Sequence, residues 1–169
     1  SGGERKLREE LAGVHRVSAE NVVVTTGSKW AIFSVMYLLM ERGDNVVVPT
    51  PYWTAYELIA KSLGVEARFL RTELDSNWKI DVEKLEGLVD RRTRLLILNN
   101  PNNPTSKVID EKVLAEIVQI ANDKGITILS DEVYSDISFV ETKSILDFDD
   151  RHILVKSFSK TFAMTGWRV

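Results

Sequence analysis

Six short runs, VVVT (22–25), NVVVPT (45–50), EARFL (66–70), RLLIL (94–98), ITILS (126–130) and HILV (152–155), are apolar at nearly every position instead of at alternate ones. A strand with one face in water alternates polar and apolar side chains. One covered on both faces has no such need, so these runs predict a parallel sheet packed between helices. Between them lie stretches of helical periodicity at about 28–42, 53–63, 81–90 and 110–125. Strand followed by helix, repeated along the chain, requires crossover connections. The fold class is α/β: a doubly wound, mostly parallel sheet with helices on both faces. Ligands of such sheets bind beyond the carboxyl ends of the strands, so the residues that follow each run are the ones to inspect.

With 169 residues, 44% hydrophobic and 28% charged, the chain can bury one sizeable core. A net charge of −3 supplies no field to draw a phosphate backbone or an anionic bilayer onto the surface, which disfavours nucleic acid and membrane partners. The longest apolar run, AIFSVMYLLM, is too short to cross a bilayer and lies inside the chain, so it is neither a span nor a signal sequence. The absence of cysteine excludes disulfides, thiolate nucleophiles and zinc–thiolate sites, and fits a reducing compartment. The chain is therefore read as soluble and cytoplasmic. His15 and His152 have no companion ligands at metal-binding spacing and are read as surface or packed residues, with no metal site.

Taken singly, the residues at the strand ends have ordinary readings. After VVVT, the sequence TGSKW opens a helix: Ser28 reads as an N-cap, or the N–H groups of Ser28 and Lys29 present a positive helix end to a phosphate. Neither G-x-x-x-x-G-K-[ST] nor G-x-G-x-x-G occurs, which argues against a nucleotide cofactor. In TPYWTAY the rings of Tyr52 and Trp53 either cover the core or stack on a flat ligand. PNNPTS is a turn that leaves the amides of Asn99, Asn100, Asn102 or Asn103 over the strand ends. ITILS delivers Asp131, with Tyr134 three residues on, and HILV delivers Ser157, Ser159 and Lys160, with Arg168 following. A carboxylate there can cap a helix, and a loop lysine is commonly solvated. Together these groups make one crevice holding a phosphate cradle, a stacking ring, an amide, a carboxylate, a phenol, an amine and a guanidinium.

TTGSKWA, TPYW, NNPNNPT, SDEVYSD and SFSKTFAMTGWR, in this order and spacing, resemble the fold-type I pyridoxal-phosphate enzymes, and within them the class I/II aminotransferases of the aspartate aminotransferase kind. The resemblance implies pyridoxal 5'-phosphate as cofactor, with Lys160 forming a Schiff base to its aldehyde. It makes Asp131 the partner of the pyridine nitrogen, and Tyr134 and Asn103 the partners of the phenolate oxygen. Trp53 becomes the stacking aromatic, and Ser28, Lys29, Ser157 and Arg168 the phosphate ligands. Lys160, Asp131 and Tyr134 are thus the catalytic candidates. The chemistry suits the residue types: a carboxylate keeps the ring nitrogen protonated so that the ring accepts an electron pair, and a partly neutral lysine can attack a carbonyl and carry a proton. An arginine offers the phosphate dianion a planar, permanently charged fork.

The implied function is transfer of an amino group between an amino acid and a 2-oxo acid, in an enzyme that is a homodimer when intact. A C–S lyase or an aminocyclopropane-carboxylate synthase is the alternative on the same scaffold, and a non-catalytic piece that retains the fold is a third. Residues 1–169 correspond to the cofactor-binding large domain, incomplete: the amino-terminal segment, the last strand and the small domain with its carboxylate-gripping arginine fall outside it. By itself such a piece is expected to bind cofactor weakly and turn over little. Two details depart from or extend the pattern. Ser106 stands where glycine is usual, and Thr50–Pro51 or Asn103–Pro104 is expected to be cis.

Overall fold

The computed structural model describes residues 2–169. Helix α1 (Arg5–His15) is followed by α2 (Ser28–Leu39), β1 (Asn45–Thr50), α3 (Ala55–Leu63) and β2 (Glu66–Arg71). Then come α4 (Val82–Leu88), β3 (Thr93–Asn99), α5 (Glu111–Lys124), β4 (Thr127–Asp131), β5 (Ile153–Val155) and the single turn α6 (Phe158–Thr161). The strands form one sheet in the order β2-β1-β3-β4-β5, with every pairing parallel. Among the described residues no helix is long and apolar enough to cross a membrane.

Successive strand residues face opposite ways, and both faces are covered, which is why the strand sequences are apolar throughout. Val46, Val48, Leu95, Ile97 and Leu129 pack against Ile32 and Met36 of α2 and Tyr56, Ile59 and Ala60 of α3. Their neighbours Val47, Leu96, Leu98 and Ile128 pack on the other side against Leu85 of α4 and Leu114, Ile117 and Ala121 of α5. Sharp stops frame the helices. Asp110 accepts from the Lys112 N–H at 2.9 Å to start α5, and Gly125 ends it at φ 66°, a left-handed conformation that glycine adopts without strain.

One expected strand is not formed. Residues 22–25 run extended but lie outside the sheet, whose edges are β2 and β5, so there are five strands and not six. Val23 is 67% exposed, and the Val24 N–H donates to the Gly2 carbonyl at 2.8 Å instead of to a strand. β-Branched composition favours extension, but a strand exists only where a neighbour pairs with it. The helix expected over 28–42 stops at Leu39, where Met40 turns to φ −127°.

At the far side of the sheet, His152 is buried; its Nδ1 accepts from the Ile128 N–H at 3.3 Å, and among the described residues its Nε2 has no partner. Burial pushes its pKa below the ordinary histidine value. The unfolded chain therefore takes up a proton before the folded one does, so stability is complete above the unfolded pKa and is lost as pH falls from there through the folded pKa. Between about pH 7 and pH 5 the urea midpoint of the wild type should fall relative to that of His152→Gln. Parallel pH dependence in the two proteins contradicts this.

Candidate active site

The sheet register sets the site. Asn99 of β3 pairs with Asp131 of β4, and Asp131 with Val155 of β5, so three strand ends stand level at the carboxyl edge. A cavity of about 240 Å³ opens there. Asp131 and Tyr134 line it from the end of β4, and Ser157, Ser159 and Lys160 from the end of β5. Trp53, Asn103 and Ser28 close the remaining sides. Lys160 and Asp131, expected to share one pocket, do so.

Asp131 is 3% exposed. The Tyr56 hydroxyl donates to its Oδ2 at 2.6 Å, and its Oδ1 receives only a long bond, 3.4 Å, from the Val133 N–H. No ion pair reaches it among the described residues. Burial lifts its pKa to about 6, against the opposing pull of the Tyr56 and Val133 hydrogen bonds. The buried hydroxyl of Tyr56 is itself pushed far up, by desolvation first and then by the Asp131 charge. Tyr56 is the site residue that the sequence reading passed over. Its partner lies 75 residues further along the chain, so no local pattern marks it.

Ser28 turns out not to be the N-cap of α2. Gly27 holds that position at φ 83° and gives no side-chain bond. The N–H groups of Ser28 and Lys29 meet no acceptor among the described residues, as befits the positive end of a helix beside the cavity. Arg168 and Lys29 lie outside the cavity lining. The Arg168 guanidinium rests against Gly27: a Cβ there would lie 2.5 Å from Nη2. Lys29 places its Nζ 5.1 Å from the centroid of the Trp53 ring, a cation–π contact. Tyr56 meets the same indole edge-on, at 5.6 Å and 89°.

Asn103 and Tyr134 come together, the amide donating to the phenol oxygen at 3.3 Å. Asn99 supports them: its Nδ2 donates to the Asp131 carbonyl at 2.9 Å and its Oδ1 accepts from the Asn103 N–H at 2.6 Å. Both Thr50–Pro51 and Asn103–Pro104 are cis, as is Asn100–Pro101. Ser106 takes φ 58°, the left-handed conformation that the usual glycine adopts freely, and its N–H donates to the Asn102 carbonyl at 2.8 Å. Ser157 caps α6 by accepting from the Ser159 N–H at 3.1 Å, while its hydroxyl donates to the Val169 carbonyl, also at 3.1 Å.

A larger cavity of about 430 Å³ lies at the ends of β1 and β3 and shares Tyr56 and Asn99 with the first. Its walls are self-paired: Asn102 Nδ2 donates to the Pro51 carbonyl at 3.2 Å, and the Thr72 hydroxyl to the Thr50 carbonyl. Tyr52 belongs to this second space, stacked on Phe69 at 4.9 Å and donating to Glu57 at 2.7 Å. The smaller cavity is the one where amine, carboxylate and phenol meet, and it is the candidate site.

Residues 1–169 match a family model described as aminotransferase class I and II. The chain belongs to that family. It is 36% identical over 176 residues to a probable aspartate aminotransferase of Methanocaldococcus jannaschii, which covers all of this chain and 46% of the relative. Its fold superposes on the aspartate aminotransferase of Thermotoga maritima with a TM-score of 0.94 and 34% identity, over 99% of this chain and 47% of the other. A pyridoxal-phosphate-dependent aminotransferase from Streptococcus suis gives 0.91 and 36%, over 99% and 45%. The chain thus spans about half the length of the relatives it matches.

Two outcomes follow from this geometry. Removing the Tyr56 hydroxyl in Tyr56→Phe takes away a bond that favours the carboxylate, so the Asp131 pKa should rise above about 6, read by carbon NMR of labelled aspartate side chains. Gly27→Ala adds a Cβ against Arg168 at a backbone conformation reserved for glycine, and should cost about 1–3 kcal/mol in denaturant unfolding.

Proposed function

We propose that this chain is the cofactor-binding large domain of a pyridoxal-phosphate-dependent aminotransferase that moves an amino group between an amino acid and a 2-oxo acid. The observation that carries the reading is a buried carboxylate, Asp131, lining the same small cavity as the Lys160 amine. The residues fit the cofactor. Asp131 is a desolvated anion whose Oδ1 lacks a strong donor, so a protonated ring nitrogen is the partner its chemistry calls for. When bound, pyridoxal phosphate supplies a carbonyl that captures amines and a ring that accepts the electron pair released at the substrate Cα.

In this reading Asp131 would hold a proton on the ring nitrogen, and a cation placed there would oppose the burial that raises the Asp131 pKa. Lys160 Nζ would hold the aldehyde carbon, and as a free amine it would serve as the base and acid that moves the proton at the substrate Cα. Tyr134 and Asn103, already in contact, hydrogen-bond the phenolate oxygen. The unpaired N–H groups of Ser28 and Lys29 receive the phosphate, helped by the Ser157 hydroxyl and by Arg168 next to Gly27. Trp53, which lines the cavity, would stack on the ring. A homodimer in the intact enzyme is supported by the apolar face of α2, where Trp30, Tyr37 and Leu38 are 54%, 64% and 76% exposed. A cytoplasmic site of action accords with the absence of cysteine.

Pyridoxal phosphate added to the 169-residue chain in large excess, to overcome the weak binding expected of the piece, should produce a Schiff-base absorption band, and borohydride reduction followed by peptide mapping should place the label on Lys160. The band should vanish in Lys160→Ala. An unchanged band in that variant, or a label confined to other lysines, refutes the reading.

A further inference from the structure

We propose that Asp136 is the positioning residue that holds Lys160 against the cavity wall formed by Asp131 and Tyr134. This inference rests on the function proposed above and adds a residue to it. Asp136 stands on the 3-10 turn Ser135–Ile137, directly after Tyr134. Its Oδ1 accepts from Lys156 Nζ at 2.6 Å and its Oδ2 from the Thr161 hydroxyl at 3.0 Å. Lys156 follows the last residue of β5 and Thr161 follows Lys160, so one carboxylate grips both ends of the six-residue segment that carries the amine. Lys156 adds a second bond to the same turn through the Ser135 hydroxyl.

The segment needs such a grip. Helix α6 has four residues, too few to be stable without outside support, and its only local help is the Ser157 cap. The carboxylate is partly buried, which costs it solvation, yet the Lys156 and Thr161 hydrogen bonds hold its pKa below the ordinary aspartate value. As an ion pair, Asp136–Lys156 is partly solvated, with side chains 45% and 25% exposed, so its Coulombic worth to stability is modest. Its consequence is geometric: it fixes the distance between the turn that follows Tyr134 and the turn that bears Lys160, and both residues line one cavity. A misplacement of about 1 Å between reacting groups costs on the order of a hundredfold in rate.

The test measures the rate at which Lys160 of the 169-residue chain is captured by pyridoxal phosphate, trapped by borohydride and counted by peptide mapping, alongside the urea midpoint. Asp136→Ala and Thr161→Val should each slow capture by about 10–100-fold. Thr161→Val keeps the shape of the side chain and should leave the midpoint close to wild type, which guards against a simple loss of fold. Asp136→Glu retains the charge but displaces it by a methylene, and should stay slow, whereas a purely electrostatic role would be rescued. Hydrogen exchange at residues 157–162 should quicken in Asp136→Ala and Thr161→Val. Wild-type capture rates in both of these variants overturn the positioning role and leave the proposed function standing. Failure of the wild-type chain to be labelled at Lys160 at all overturns both.

Discussion

A carboxylate taken out of water at the end of an interior strand is the constraint around which the molecule is arranged. Asp131 is placed by its pairing with Asn99 on one side and Val155 on the other, and the three strands can hold that alignment only because their side chains are packed on both faces. Desolvation makes its charge costly, and the protein offsets that cost with a phenol from α3 rather than with a cation. The result is an anion that is oriented but incompletely satisfied, poised for a positively charged guest.

Other parts of the site are built outward from that anchor. Asn99 carries the alignment into the Asn103 turn, which reaches Tyr134. The tail of β5 carries it into α6 and Lys160. Gly27 and Arg168, remote in sequence, meet at the start of α2 because only a residue without a Cβ allows the guanidinium so close. Local chain chemistry at each strand end is ordinary. What is unusual is that parallel strands bring all their ends to one edge.

That edge was legible in the sequence because fully apolar strands announce burial on both faces, and because parallel order fixes which end of each strand matters. The family resemblance of the motifs implies that Asp131, Tyr134, Asn103 and Lys160 are neighbours, and all four line one cavity. The run at 22–25 misled, since VVVT has strand composition but no partner in the sheet. Tyr56 escaped notice for the opposite reason. Its hydroxyl meets a carboxylate 75 residues away, and nothing in local periodicity distinguishes it from an aromatic that merely fills the core. The same limit applies to Asp136, whose two partners lie 20 and 25 residues further on.

The indole of Trp53 has one further implication. With the Lys29 ammonium 5.1 Å from the centroid of the Trp53 ring and Tyr56 meeting that ring edge-on, the indole is braced from two directions at the border of the cavity. A flat guest lying against a ring so fixed would have one side shielded, and its two faces would cease to be equivalent on entry.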